Sequence, residues 1–185
     1  IIKIDNTIIA YPKRLNANNP PEIILDDIKT AFNNKKQVTN FFGRETAQIF
    51  ESYFYNKKII IREYWRGGIL RKLLKNSYLN FQRFLDELEI TEHLYNTQIN
   101  ELSPAFVIIQ KKNIFYYSAY LATYKIENAI NFFELIKSKQ LANNETLKKF
   151  IFEVLKKINL LADAGIFHKD LQIKNILVSL VDIQE

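Results

Sequence analysis

His168-Lys169-Asp170-Leu171-Gln172-Ile173-Lys174-Asn175-Ile176-Leu177 is the stretch on which the reading of this chain turns. It sets out a histidine, an acid and a neutral amide as H-x-D-L-x-x-x-N-I-L. On a short loop, that spacing puts a carboxylate beside an attacking hydroxyl. One bend later it offers an amide oxygen to a hard divalent cation. The apolar Ile176-Leu177-Val178 is expected to form a buried strand that anchors the loop. The alternative is a surface turn after a helix, with His168 buried beneath it.

Upstream of this stretch lies the clearest helical pattern in the chain. Leu147, Phe150, Ile151, Val154, Leu155, Ile158 and Leu161 recur at i, i+3 and i+4, predicting a helix over Asn144 to Ala164. Asn143 or Asn144 is its expected cap, Glu145 sits in the first turn and Gly165 is the stop. A further helix is expected over Glu127 to Lys137, and a hairpin over Phe106–Gln110 and Ile114–Leu121, closed by Lys111-Lys112-Asn113. A helix over Tyr78 to Tyr95 carries Phe81, Phe84, Leu85, Leu88 and Tyr95 on one face.

Before that helix, Ala47–Phe54 and Lys58–Trp65 read as strands around a turn at Tyr55-Asn56-Lys57. Alternation puts Ile60, Arg62 and Tyr64 on one side of the second strand, and Ile59, Ile61 and Glu63 on the other. Ile1 to Tyr11 is β-leaning, Asn16 to Pro21 is a break, and Pro20-Pro21 opens a short helix with Ile24, Leu25, Ile28 and Phe32 inward. The order is strands, helix, strands, then helices leading into the loop. It predicts an α+β, bilobal, protein-kinase-like fold: a β-rich N-terminal lobe over 1–122 with one main helix, and a helical C-terminal lobe over 123–185, incomplete at its C-terminal end.

Composition bounds the function. With 185 residues, 48% hydrophobic and 25% charged, the chain can bury a core and is not disordered. Zero Cys excludes disulfides and thiolate metal sites, and two His make a zinc enzyme a poor fit. No apolar run is long enough to span a bilayer, and Ile1-Ile2-Lys3 does not open a secretory signal. The net charge of +6 suits an anionic partner (nucleotide, nucleic acid or membrane surface), though a solvated lysine-rich face explains it equally well.

Beyond kinase-like proteins in general, the chain resembles the Kdo kinase/lipopolysaccharide kinase family. Arg62-Glu63-Tyr64-Trp65-Arg66-Gly67-Gly68-Ile69-Leu70-Arg71-Lys72-Leu73 is similar to that family's R-x-Y-x-R-G-G-L-x-x-K-L signature. Gly43-Arg44-Glu45-Thr46 resembles its shortened glycine loop, and Lys125-Ile126-Glu127-Asn128-Ala129 a stretch after the hinge. The resemblance implies an ATP- and Mg²⁺-dependent kinase that phosphorylates a Kdo sugar attached to lipid A, working as a peripheral protein at the cytoplasmic face of the bacterial inner membrane. Its expected partners are lipid A-linked Kdo and an anionic membrane surface, with no nucleic acid.

The resemblance also implies roles. Asp170 is the candidate base that orients the sugar hydroxyl, and His168 braces the catalytic loop beside it. Asn175 is a candidate Mg²⁺ ligand. Arg62 stands where kinases usually carry Lys and can clamp phosphate oxygens, with Glu87 as its expected carboxylate partner among the neighbours Asp86 and Glu89. Gly43, Thr46, Arg66 and Lys72 are candidates for contacts to the nucleotide phosphates, Arg66 and Lys72 alternatively to the acidic acceptor. Gly67 and Gly68 would let the backbone turn or approach a ligand.

The departures from the family pattern matter. Gln172 stands where protein kinases often have Lys, which fits a sugar or small-molecule kinase better. Asp182 is the candidate second metal ligand, although it follows Asn175 too closely for a turn and return strand. The expectation is that residues are absent between Val178 and Asp182; alternatively, Asp182 belongs to the tail of a truncated chain. Against the kinase stands a non-catalytic kinase-like module that binds nucleotide or lipopolysaccharide, or a kinase for another small hydroxylated acceptor.

Overall fold

The computed structural model describes residues 1–38, 49–64, 77–97, 102–138, 144–167 and 171–179. They fall into two compact units, Ile1–Lys125 and Ile126–Glu185.

Among its described residues, the first unit has an antiparallel sheet flanked by two α-helices. In chain order its strands are β1 (Ile2–Ile4), β2 (Thr7–Ala10), β3 (Lys36–Gln37), β4 (Ile49–Phe54), β5 (Lys57–Glu63), β6 (Pro104–Lys111) and β7 (Tyr117–Tyr124). Across the sheet they run β1-β2-β6-β7-β5-β4-β3. Helix α1 (Pro21–Asn33) lies in the β2–β3 connection, and α2 (Gln82–Asn96) in the β5–β6 connection.

The period of two in the strands assigns each helix its own face of the sheet. Ile9, Ile59, Ile61, Phe106, Ile108 and Ala122 pack with Ile24, Ile28 and Ala31 of α1. Their neighbours along the strands, Ala10, Val107, Ile109, Ala119 and Leu121, pack with Phe84, Leu85 and Leu88 of α2. Helix α1 is further held by the Ser52 hydroxyl, which donates to the Ala31 carbonyl at 2.6 Å. As the alternation predicts, Glu63 lies with Ile59 and Ile61 on the buried α1 face. There it accepts a hydrogen bond of 3.2 Å from the Tyr120 hydroxyl, whose pKa burial and Glu63 push up to about 12.

Several local expectations need correction. The β4–β5 turn is two residues, Tyr55-Asn56, both at positive φ (49° and 58°), so Lys57 belongs to β5. That is the primed geometry that matches strand twist, and Asn tolerates it well. Helix α2 begins at Gln82, not Tyr78: the Tyr78 and Tyr117 backbones exchange hydrogen bonds of 2.9 and 2.8 Å, which hold Tyr78 extended. Strand β7 begins at Tyr117 rather than Ile114, because the Asn113 side chain accepts from the amides of Phe115 (3.0 Å) and Tyr116 (2.9 Å) and folds that segment into a loop. A short 3-10 turn, Lys13–Ala17, was not foreseen.

The second unit contains β8 (Ala129–Asn131), α3 (Phe132–Lys137), α4 (Asn144–Asp163) and β9 (Leu177–Ser179). The expected helix over Glu127 to Lys137 is helical only in its second half. Asn128 takes φ +54°, and Ala129–Asn131 pairs antiparallel with Leu177–Ser179. The Asn131 side chain then caps α3, accepting from the Glu134 amide at 2.9 Å.

Helix α4 forms over nearly the expected span. It ends at Gly165 (φ +73°), with the Ile166 amide bonded back to the Leu161 carbonyl at 2.9 Å. The expected anchor strand is shifted by one residue, to Leu177–Ser179, and is only partly buried: Val178 is buried with Phe132 and Leu135, whereas Leu177 is exposed. Val154, Leu155 and Ile158 of α4 face Leu171 and Ile173 across an apolar groove of about 440 Å³.

Candidate phosphate-binding site

Arg62 lies on β5 opposite Ile49 of β4 and Leu121 of β7, on the sheet face that α2 covers. Its Nη2 donates to Glu87 Oε1 at 2.8 Å. Helix geometry explains why the partner is Glu87 and not its neighbours. Phe84, Leu85, Leu88 and Thr91 form the buried face of α2. Glu87 follows Phe84 by three positions and so borders that stripe on the sheet side. Asp86 points outward and accepts from Gln82 Nε2 at 2.9 Å, and Glu89 is exposed.

Both members of the pair remain open to solvent, with side chains 48% and 35% exposed for Arg62 and Glu87. A guanidinium carries five N–H donors, of which the bond to Glu87 takes one. On the same face, half-buried Ile60 lies between Glu51 of β4 and Thr123 of β7, and Glu51 is ion-paired to Lys125. The site therefore combines a fixed cation and apolar strand surface, which together suit an anion carried on an apolar or aromatic body.

Tyr64 also belongs to this site, a residue for which the sequence reading gave a face but no role. Its ring packs on Phe84 with centroids 4.6 Å apart. The guanidinium carbon of Arg62 lies 5.4 Å from its ring centroid. Burial pushes the Tyr64 pKa far above the usual phenol range; the Glu87 charge adds to the rise and Arg62 opposes it. The signal available in the sequence was the period of two, which sets Tyr64 beside Arg62.

In the second unit, Asn175 ends the short 3-10 turn Ile173–Asn175, its amide bonded to the Gln172 carbonyl at 2.8 Å. The turn is fastened at its far end, where the Phe132 amide donates to the Ile176 carbonyl at 2.9 Å. Asn175 is exposed and could offer an amide oxygen to a cation. Among the described residues no three His, Cys, Asp or Glu side chains cluster as a metal site. An ion shared with phosphates needs only one or two protein oxygens. Gly43, Thr46, Arg66, Gly67, Gly68, Lys72, His168, Asp170 and Asp182 lie outside the described residues.

An antiparallel sheet that sets a strand cation against a carboxylate on the adjoining helix, followed by a helical unit that carries the H-x-D-L-x-x-x-N loop, defines the protein-kinase-like class of α+β phosphotransferases. Residues 34–185 match the model of the lipopolysaccharide kinase (Kdo/WaaP) family, and the chain belongs to that family. Among similar proteins, a 3-deoxy-D-manno-octulosonic acid kinase of Photobacterium damsela subsp. piscicida is 26% identical over 167 residues, 85% of this chain and 67% of that protein. One of the same name from Haemophilus influenzae (strain PittEE) is 30% identical over 142 residues, 74% of this chain and 57% of that protein. Another from Vibrio vulnificus (strain YJ016) is 28% identical over 169 residues, 89% of this chain. The chain thus spans 57% to 67% of the length of these relatives. No solved structure matches.

Proposed function

We propose that the protein transfers the γ-phosphate of ATP to a hydroxyl of a Kdo sugar on lipid A. The observation that carries this reading is the Arg62–Glu87 ion pair, a phosphate-sized cation braced on the sheet face of a Kdo/WaaP family chain. Arg62 grips phosphate oxygens while Glu87 fixes its angle. Asp170 accepts the proton of the attacking hydroxyl, and His168 braces the loop that carries it. Asn175 and Asp182 hold Mg²⁺, which when bound neutralises phosphate charge. Gly43, Thr46, Arg66 and Lys72 are the further candidates for contacts to the phosphates. Incubation of Kdo–lipid A with ATP and Mg²⁺, followed by mass analysis, tests the assignment. A single added phosphate on the Kdo is expected; transfer only to a different small hydroxylated acceptor, or none, would overturn it.

Because the pair is half exposed, it contributes little to folding, about 0.2–1 kcal/mol for pairs of this kind. Its loss should therefore appear in binding and not in stability. Arg62→Ala is expected to weaken ATP binding by about tenfold to a hundredfold, the worth of one charge-assisted contact. Its melting temperature should shift by no more than a few degrees. Calorimetric titration alongside thermal unfolding separates the two readouts.

The reading extends to a membrane surface at the cytoplasmic face of the inner membrane. No described helix is long and apolar enough to cross a membrane. The end of β6 and the β6–β7 loop carry Lys111 and Lys112, and the loop exposes Ile114 and Phe115 (77% and 66%). Cations beside protruding apolar side chains suit an anionic bilayer interface. The double variant Ile114→Ser/Phe115→Ser should sediment less with phosphatidylglycerol vesicles than the parent. Undiminished sedimentation would remove the loop from this role.

A further inference from the structure

The match to the family model covers residues 34–185, so Ile1–Asn33 stands outside it. The fold nevertheless ties this segment firmly to the sheet. Strand β2 pairs with β6 from Thr7–Gln110 to Ala10–Val107, and the Lys111 amide donates to the Asn6 carbonyl at 2.7 Å. The 3-10 turn Lys13–Ala17 follows, seated by fully buried Pro12 before it and by Leu15 within it, which packs on the α1-side core. That seat fixes Arg14. Its Nη2 donates to the Ser103 hydroxyl at 2.9 Å and to the Pro104 carbonyl at 2.7 Å, at the head of β6. Its Nη1 is ion-paired to Glu92 of α2 at 3.5 Å, and its guanidinium carbon lies 4.6 Å from the ring centroid of Tyr95. One side chain thus joins the N-terminal segment, β6 and the second half of α2.

The Arg14–Glu92 pair is better shielded than Arg62–Glu87, with side chains 28% and 21% exposed, and shielding strengthens an ion pair. Its place along the helix gives it a use. The cluster that packs α2 on the sheet draws Phe84, Leu85 and Leu88 from the first half of the helix. In the second half, Glu92 and Tyr95 are held by Arg14. Glu87 lies between the two fastenings, about 4.5 Å along the axis from Phe84 and about 7.5 Å from Glu92. A helix held at one place can pivot; held at two, it keeps the carboxylate between them aimed at Arg62. We propose that Arg14 is a positioning residue for the phosphate site: it clamps the second half of α2 to β6 and so keeps Glu87 set against Arg62. This rests on the reading of Arg62 and Glu87 as the phosphate site. Arg14 acts through α2 and needs no contact with the nucleotide.

The test is Arg14→Ala, read in two ways. Without ligand, the amides of Ile90–Asn96 should exchange hydrogen about tenfold faster, while those of β4 keep their rates. ATP should bind about twofold to thirtyfold more weakly, the range for a residue coupled to a site through packing. Glu92→Gln, which removes only the ion pair, should move both readouts the same way by less. Ile28→Val, which loosens the core on the other face of the sheet, should bind ATP as the parent does. In a Glu87→Ala background the Arg14→Ala penalty should vanish, because no carboxylate is left to aim. Unchanged exchange in α2 overturns the clamp. Unchanged ATP affinity, a penalty that persists without Glu87, or an equal penalty in Ile28→Val overturns the positioning role. If Arg62→Ala binds ATP as the parent does, the reading of Arg62 falls and takes the positioning role with it, a failure that the exchange measurement tells apart from a failure of the clamp.

Discussion

Asp170→Asn is expected to lower the rate of phosphate transfer by roughly 10²–10⁴-fold, the usual contribution of a positioned general base. The asparagine keeps the shape of the side chain and loses the ability to take a proton. The acceptor hydroxyl is then neither deprotonated nor drawn into line with the γ-phosphate, and in phosphoryl transfer that orientation is most of what the protein supplies. ATP affinity should be nearly unchanged, because the residues proposed to hold the nucleotide, Arg62, Gly43, Thr46, Arg66 and Lys72, are left intact. In kinetic terms kcat falls while KM for ATP stays put, the sign of an interaction made only in the transition state. A module that binds without transfer would show no such split, so the same variant separates the enzyme from the non-catalytic alternative. Asp170 lies outside the described residues, and the expectation rests on the motif and on family membership. A variant that keeps its transfer rate would remove Asp170 from the chemistry.

Phe84→Ala is expected to cost about 3–5 kcal/mol of folding free energy, the range for removing a buried phenyl ring from a packed site. Phe84 is fully buried and holds two aromatic contacts, at 4.6 Å to Tyr64 and 4.9 Å to Tyr78. Tyr64 follows β5 directly and Tyr78 is bridged to β7, so the one ring fastens α2 to the sheet at two points. Domains of this size hold about 5–15 kcal/mol in all, so the variant should lose a large share of its stability. Urea titration should show a lower midpoint with the slope preserved. Because α2 also carries Glu87, the variant should bind ATP more weakly even at temperatures where it remains folded. A loss under 1 kcal/mol would contradict the anchoring role assigned to this ring.

Much of this was legible in the residues, and the parts that were not share a physical cause. Alternation along Lys57–Glu63 separated the faces of β5, because a half-buried strand cannot slip by one residue without exposing its core. Helical spacing likewise put Phe84, Leu85 and Leu88 inward and left Glu87 at their border. The failures lie where a distant partner or a side-chain hydrogen bond decides the backbone. Ala129–Asn131 becomes a strand because Leu177–Ser179, far along the chain, supplies its ladder; no local pattern contains that information. Tyr78 stays extended because Tyr117 holds it, and Ile114 leaves the strand because Asn113 folds the loop back on itself. At the site, Arg62 could be singled out by its strand position. The setting of Tyr64, its ring on Phe84 and beside the Arg62 guanidinium, could not, since such a setting is a property of three-dimensional packing and leaves no mark in sequence.

The most direct test of the account is a structure of the protein with a non-hydrolysable ATP analogue and Mg²⁺. Phosphate oxygens should lie within hydrogen-bonding distance of the Arg62 guanidinium, with Glu87 still beside it. A triphosphate seated elsewhere, with the Arg62–Glu87 pair untouched, would contradict the account.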